Sequence, residues 1–203
     1  VDLAGIEWNP VGQTRATQFQ GIFDGQGKTI SNMTVNNPSE NEHVSSGFFG
    51  WLENTSGVVV KDVKFENANV TGSHYVGVVA GYLSGTITGC EVNGSTVNGV
   101  NMNSEANGDK VGGIVGYINA GTVSNNTVTN CSVIGNRDIG GIVGAAINAG
   151  TTFTGNAVSD TEIAYETEKP YGSAGAIVSG RTGFVPDSTN TYSNVKIAQA
   201  ICT

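Results

Sequence analysis

The sequence predicts an all-β chain wound as a single-stranded, right-handed parallel β-helix of about six coils, and three observations carry the prediction. Composition comes first: of 203 residues 30 are glycine and only 13% are charged, with much Asn, Thr, Ser and Val, a mixture poor in helix formers. Second, a glycine-flanked apolar phrase, "VGGIVG" at 111–116, is written again as "IGGIVG" at 139–144, about one structural repeat later. Third, apolar residues recur at fixed internal offsets along most of the chain. Repeats too small to bury an apolar side alone must stack on one another.

Residues 1–25, with Trp8, Pro10, Phe19 and Phe23, are apolar but off the repeat pattern. They read as an N-terminal cap over the unpaired strand edges that any solenoid end exposes. Residues 26–203 read as stacked coils, and the whole chain as one domain that could be a module of a longer protein. The coils start at Ile30, Val60, Ile87, Val123, Phe153 and Tyr192. Three residues on stand Met33, Val63, Cys90, Asn126, Asn156 and Val195, and five on stand Val35, Phe65, Val92, Val128, Val158 and Ile197. Position eight is small (Ala68, Ser95, Cys131, Thr161, Ala200), and position ten is apolar at Val70, Val97, Val133 and Ile163. Offsets differing by two place side chains on one face of a strand, so each coil holds at least two short, half-buried strands.

The glycine phrase supplies a third element, in the further versions "SSGFFG" (45–50), "VGVVAG" (76–81) and "AGAIVS" (174–179). Glycine there allows tight corners and close approach between turns. In-register stacking also sets Asn126 over Asn156, with their amides bonded along the stack.

Several function classes are disfavoured by composition. The net charge is −8 and the nine Lys and Arg residues are scattered, so no basic stripe tracks a phosphate backbone and nucleic acid is not an expected partner. No apolar run approaches bilayer length, and no signal peptide is visible ahead of Val1. Cys90, Cys131 and Cys202 fall in different coils and columns, which predicts three buried thiols rather than a disulfide or a zinc site.

"WNPVG" (8–12), "FQGIFDGQGKTISNMTV" (19–35) and the "GGIVG" phrases resemble the GLUG-repeat family, and the resemblance covers nearly the whole chain. It implies a parallel β-helix or a close variant, in bacterial proteins that are exported or attached to the cell surface. Ala80 and Ser179 depart from the phrase. The family brings no site residues to carry over.

Function is expected at one corner, between position ten and the next glycine phrase. Short connectors "TGSHY" (71–75) and "IGNRD" (134–138) alternate there with "NNPSENEHV" (36–44), "NGVNMNSEANGDK" (98–110) and "AYETEKPYG" (164–172). Loops of varying length on a rigid scaffold are where binding is usually placed. Counting back from the closing glycine puts His43, His74, Asp109 and Arg137 in one column and Val44, Tyr75, Lys110 and Asp138 in the next, while Tyr165 and Tyr171 flank a large acidic loop at this edge. His74, Tyr75, Asp109, Arg137, Asp138, Tyr165 and Tyr171 are therefore the candidate ligand-binding residues. Tyrosine faces would stack on sugar and charged groups would exchange hydrogen bonds. The plainer alternative is a solvated corner of weak ion pairs.

The reading is a non-catalytic surface or secreted binding module for carbohydrate or a cell-surface protein, with no cofactor or metal. Two alternatives stay open: a polysaccharide lyase or hydrolase on the same scaffold, or a passive spacer. On the outward strand columns only Glu66 and Glu91 are acidic, and Lys64 is placed to pair with Glu91. Asp24 reads as bonding its own Asp-Gly turn. The sequons at Asn32, Asn54, Asn69, Asn93, Asn125 and Asn130 read as by-products of an Asn- and Thr-rich repeat.

Overall fold

The computed structural model describes residues 1–41, 44–54, 57–100, 110–148, 150–165, 172–179 and 186–199. Apart from one 3-10 turn at Arg15–Thr17, its regular structure is parallel β-sheet arranged as a solenoid. A typical coil runs along Ala80–Thr88 and Glu91–Asn93 in a first sheet, Thr96–Gly99 in a second and Lys110–Gly112 in a third. The chain then re-enters the first sheet at Val115–Ser124, one rung further along. The third sheet has five strands, so four full turns lie between its first and last, and partial coils at the ends give the second sheet six. That is about four complete turns where the sequence suggested six.

Residues 1–19 lie over the first coil through isolated parallel bridges, Asp2 to Ser31, Glu7 to Thr34, Val11 to Phe49 and Phe19 to Leu52. Trp8 stacks on Phe48 with centroids 4.7 Å apart, and its indole N–H donates to the Phe48 carbonyl at 3.0 Å. Regular pairing begins at Ile22, inside the segment assigned to the cap.

In the middle of the stack the observed frame is the one expected: Val60, Ile87, Val123 and Phe153 lie opposite one another. Both end coils differ by five residues. Ile30 faces Phe65 and Val35 faces Val70, while Tyr192 faces Val158 and Ile197 faces Ile163. The inward positions zero, five and ten are all apolar, so a five-residue slip keeps most of the pattern. A bulge between Asp24 and Lys28 conceals the true start of the first coil.

The corrected frame makes Asn190, not Val195, the third-position residue of the last coil, and so extends the buried amide stack. The Asn126 Oδ1 accepts the Cys90 backbone N–H at 2.9 Å. The Asn156 Oδ1 accepts from the Asn126 backbone and side chain, both at 3.1 Å. Asn190 serves Asn156 in the same way, at 3.1 and 2.9 Å. Each amide N–H also reaches back to a carbonyl of the coil before: Ile87, Val123 and Phe153 in turn. Two corners per coil are left-handed, and Asn, Asp or Gly occupies them: Asn32, Asn67, Gly94, Asn130, Asp160 and Asn194 at one, Asp62, Gly89, Asn125 and Gly155 at the other. The sequons at Asn32, Asn125 and Asn130 arise from this backbone demand.

The glycine phrase has a steric cause. A Cβ at Gly116 would lie 2.3 Å from the Val76 backbone nitrogen, because the chain doubles back against the preceding coil with no space between. Cys90 and Cys131 are free and buried, and Cys202 lies outside the described residues. Burial pushes the Cys90 thiol up to about 12 and raises that of Cys131. Both should therefore resist iodoacetamide at pH 8 in the folded chain and react on denaturation, as read by site-resolved mass spectrometry. Rapid native labelling of either would contradict this packing.

Candidate functional site

Connector length does vary at one corner, that between the second and third sheets. It is two residues at 73–74 and at 136–137, but 38–44, 100–109 and 166–173 are long. Tyr75, Lys110 and Asp138 face one another across the third sheet as expected, and the first coil supplies Ser45 to that column rather than Val44. Four steps separate Ser45 from Phe49 where five separate Tyr75 from Ala80, so counting from the closing glycine slips by one.

The corner is more enclosed than its polarity suggests. His74 and Asp138 are each only 6% exposed, Arg137 and Tyr75 are half-buried, and His43, Asp109 and Tyr171 lie outside the described residues. Tyr165 packs against the main core, and its hydroxyl donates to the Gly172 carbonyl at 3.4 Å. Burial first, then the Asp138 charge, raises the Tyr165 phenol pKa.

The corner also adjoins an aromatic column that sequence reasoning passed over. Trp51, Tyr82, Tyr117 and Ala145 lie opposite one another on successive rungs of the first sheet. Trp51 and Tyr82 stack at 3.8 Å, and Tyr75 from the third sheet stacks on Tyr117 at 5.1 Å. The Lys110 ammonium sits 5.2 Å from the Tyr75 ring and 5.7 Å from that of Tyr117. At one end the Trp51 indole donates to Glu53, whose carboxylate pairs with Arg15 at 3.3 Å. Burial and the Glu53 charge push Tyr82 up to about 12. Each member directly follows a closing glycine, a signal present in the sequence at Gly50, Gly81, Gly116 and Gly144.

Two concavities lie elsewhere. An apolar one of about 480 Å³ opens at the N-terminal end, among Leu3, Trp8, Phe23, Ile30, Phe48 and Val63. A polar trough of about 360 Å³ lies on the outer face of the first sheet, lined by Lys64, Glu66, Glu91, Asn93, Thr127, Thr129 and Asn130 among others. Lys64 pairs with Glu91 at 3.0 Å, as expected. The Asp24 Oδ1 accepts the Gln26 backbone N–H at 2.9 Å within its turn, and its other oxygen meets Lys61 at 2.8 Å. Among the described residues no group of three or more His, Cys, Asp and Glu side chains is placed to hold a metal, and no helix is long and apolar enough to cross a membrane.

No family model matches the chain. Over 116 residues, 57% of its length, it is 33% identical to halomucin of Haloquadratum walsbyi, and the match spans about 1% of that protein. In fold it resembles the crystal structure of a candidate immunoglobulin A1 protease from Bacteroides ovatus, at a TM-score of 0.60 and 19% identity. That likeness covers 97% of this chain and 66% of the other, slightly under two thirds of it. The chain is thus similar in sequence to a short stretch of halomucin and shares the β-solenoid fold of the Bacteroides protein.

Proposed function

We propose that the chain is a non-catalytic, surface-displayed or secreted binding module of the GLUG-repeat kind, meeting carbohydrate or a surface partner through the corner between its second and third sheets. The observation that carries this reading is the variation of connector length at that corner, from two residues at 73–74 to ten at 100–109, on a scaffold whose rungs are held in register. Variable loops on an invariant frame change what is contacted without changing the frame. The likeness to a protein named as a mucin, and to one named for acting on an immunoglobulin, supports an exposed setting.

A glycan microarray probed with the wild-type chain and Tyr171→Ala tests the reading. Selective retention that is lost in Tyr171→Ala, with an unchanged melting curve, is the expected result; retention unaltered in the variant would remove the corner from the account. Tyr165→Ala serves a different purpose. Its ring packs on the core, so it should lower stability by about 1–2 kcal/mol, less than for a fully buried aromatic.

The enzyme alternative draws support from the presence of two carboxylates, Glu66 and Glu91, along one trough. The Lys64 ammonium engages the Glu91 carboxylate at 3.0 Å, so a substrate oxygen would have to displace it to reach Glu91. Release of reducing ends from a polysaccharide by the purified chain would favour this alternative over the binding reading.

A further inference from the structure

The trough on the first sheet lies away from the looped corner, near the turn from the first sheet into the second, and its construction is regular. Lys64, Glu91 and Thr127 form one row of directly opposed residues, and Glu66, Asn93 and Thr129 form the next. Both rows run along the solenoid axis with one residue per rung, at the roughly 4.8 Å spacing of paired strands. The trough therefore presents a short periodic surface parallel to the solenoid axis.

Its groups are hydrogen-bonding ones held in place from the side. The Asn130 amide donates to the Asn93 Oδ1 at 3.0 Å, which fixes the Asn93 side chain and leaves its own N–H groups to donate outward. The Thr129 hydroxyl is bonded to that of Ser159 at 3.2 Å. Glu66 is exposed, and its carboxylate has no partner among the described residues. Acceptor, donor and hydroxyl thus follow one another along a single row.

The same residues limit the chemistry of what can lie there. An anionic polymer would meet Glu66 and Glu91, while the one cation of the trough, Lys64, is already neutralised by Glu91 at 3.0 Å. The net charge of −8 adds to that repulsion. A divalent cation would have to displace Lys64 from Glu91. Phe65 and Val92, between the outer rows, are each only 1% exposed, so a ligand that binds chiefly by apolar burial gains little. What remains is a neutral ligand bearing many hydroxyls, each able to donate and to accept.

We propose that this trough binds a neutral, hydroxyl-rich polysaccharide lying parallel to the solenoid axis across the rungs that carry Glu66, Asn93 and Thr129. The periodic rows match a periodic ligand, in which successive sugar units offer the same hydroxyls to successive rungs. This inference does not depend on the looped corner, and the two can fail separately.

Affinity electrophoresis of the purified chain through gels containing dextran, laminarin, galactomannan or xylan tests it, with polygalacturonate as the anionic counterpart. At least one neutral polymer should retard the wild-type chain, and polygalacturonate should not. The double variant Glu66→Ala with Asn93→Ala should weaken retardation at least tenfold while melting like the wild type, and Glu162→Ala, an exposed carboxylate of the second sheet outside the trough, should leave it unchanged. Retardation by none of the neutral polymers, or by polygalacturonate in preference, would overturn the proposal. So would retardation that survives the double variant but is abolished by Tyr171→Ala, which would move the sugar to the corner.

Discussion

Asn156→Ala is expected to destabilise the chain by about 3–5 kcal/mol, although it removes only one polar side chain from a largely apolar interior. The Asn156 Oδ1 accepts two hydrogen bonds from Asn126, and its amide donates to the Val123 carbonyl and the Asn190 Oδ1, both at 2.9 Å. Alanine leaves the Asn126 backbone N–H and the Val123 carbonyl buried without partners, each at a cost of about 1–3 kcal/mol, and a small cavity besides. Asn156→Leu should do no better, because it fills the space and repairs neither bond. Urea titration followed by circular dichroism measures the effect as a shift of midpoint. A midpoint equal to wild type would show that the amide stack contributes nothing, as when a trapped water takes its place.

Gly112→Ala should be more damaging still. A Cβ there would lie 2.1 Å from the Val115 carbonyl oxygen, 2.7 Å from the Gly144 nitrogen and 2.8 Å from the Ile142 oxygen. All three are backbone atoms of this coil and the next, so no rotamer change relieves the contact. The cost should exceed the roughly 1–3 kcal/mol typical of an overpacked core, and the expected outcome is loss of soluble, folded protein. Gly150→Ala is the control, since a methyl group there would meet nothing within 4 Å and the φ of Gly150 is not left-handed. It should remain within about 0.5 kcal/mol of wild type. Comparable soluble yield and melting for Gly112→Ala and wild type would mean that the phrase is not packed as described.

Much of this architecture was legible because a parallel solenoid writes the same requirement once per coil. Val60, Ile87, Val123 and Phe153 could be aligned by offset alone, and that alignment brought Asn126 over Asn156 and Lys64 beside Glu91. The end coils were not legible to the same degree. Their inward residues satisfy two frames five residues apart, and the choice between them rests on pairing with a neighbour, which Asn190 and Met33 do not reveal in isolation. The aromatic column was readable in principle, one residue after each closing glycine, but on an outward strand position a lone Trp or Tyr looks like chance exposure. Burial at the corner was not readable at all. His74 and Asp138 are polar residues in a connector, and only the packing of adjacent coils encloses them. The trough likewise depends on the relative lengths of side chains from three rungs, a quantity no single repeat displays.

The direction of the sheet hydrogen bonds has a mechanical consequence. Strands cross the solenoid axis and their hydrogen bonds lie along it, so tension applied along that axis opens the sheets as a zipper opens, a rung at a time. A rung paired on one side only is held by half the hydrogen bonds of an inner rung, and such peeling would begin there. Strain would then be released in steps of one coil, and the inner rungs would stay closed while the outermost gave way.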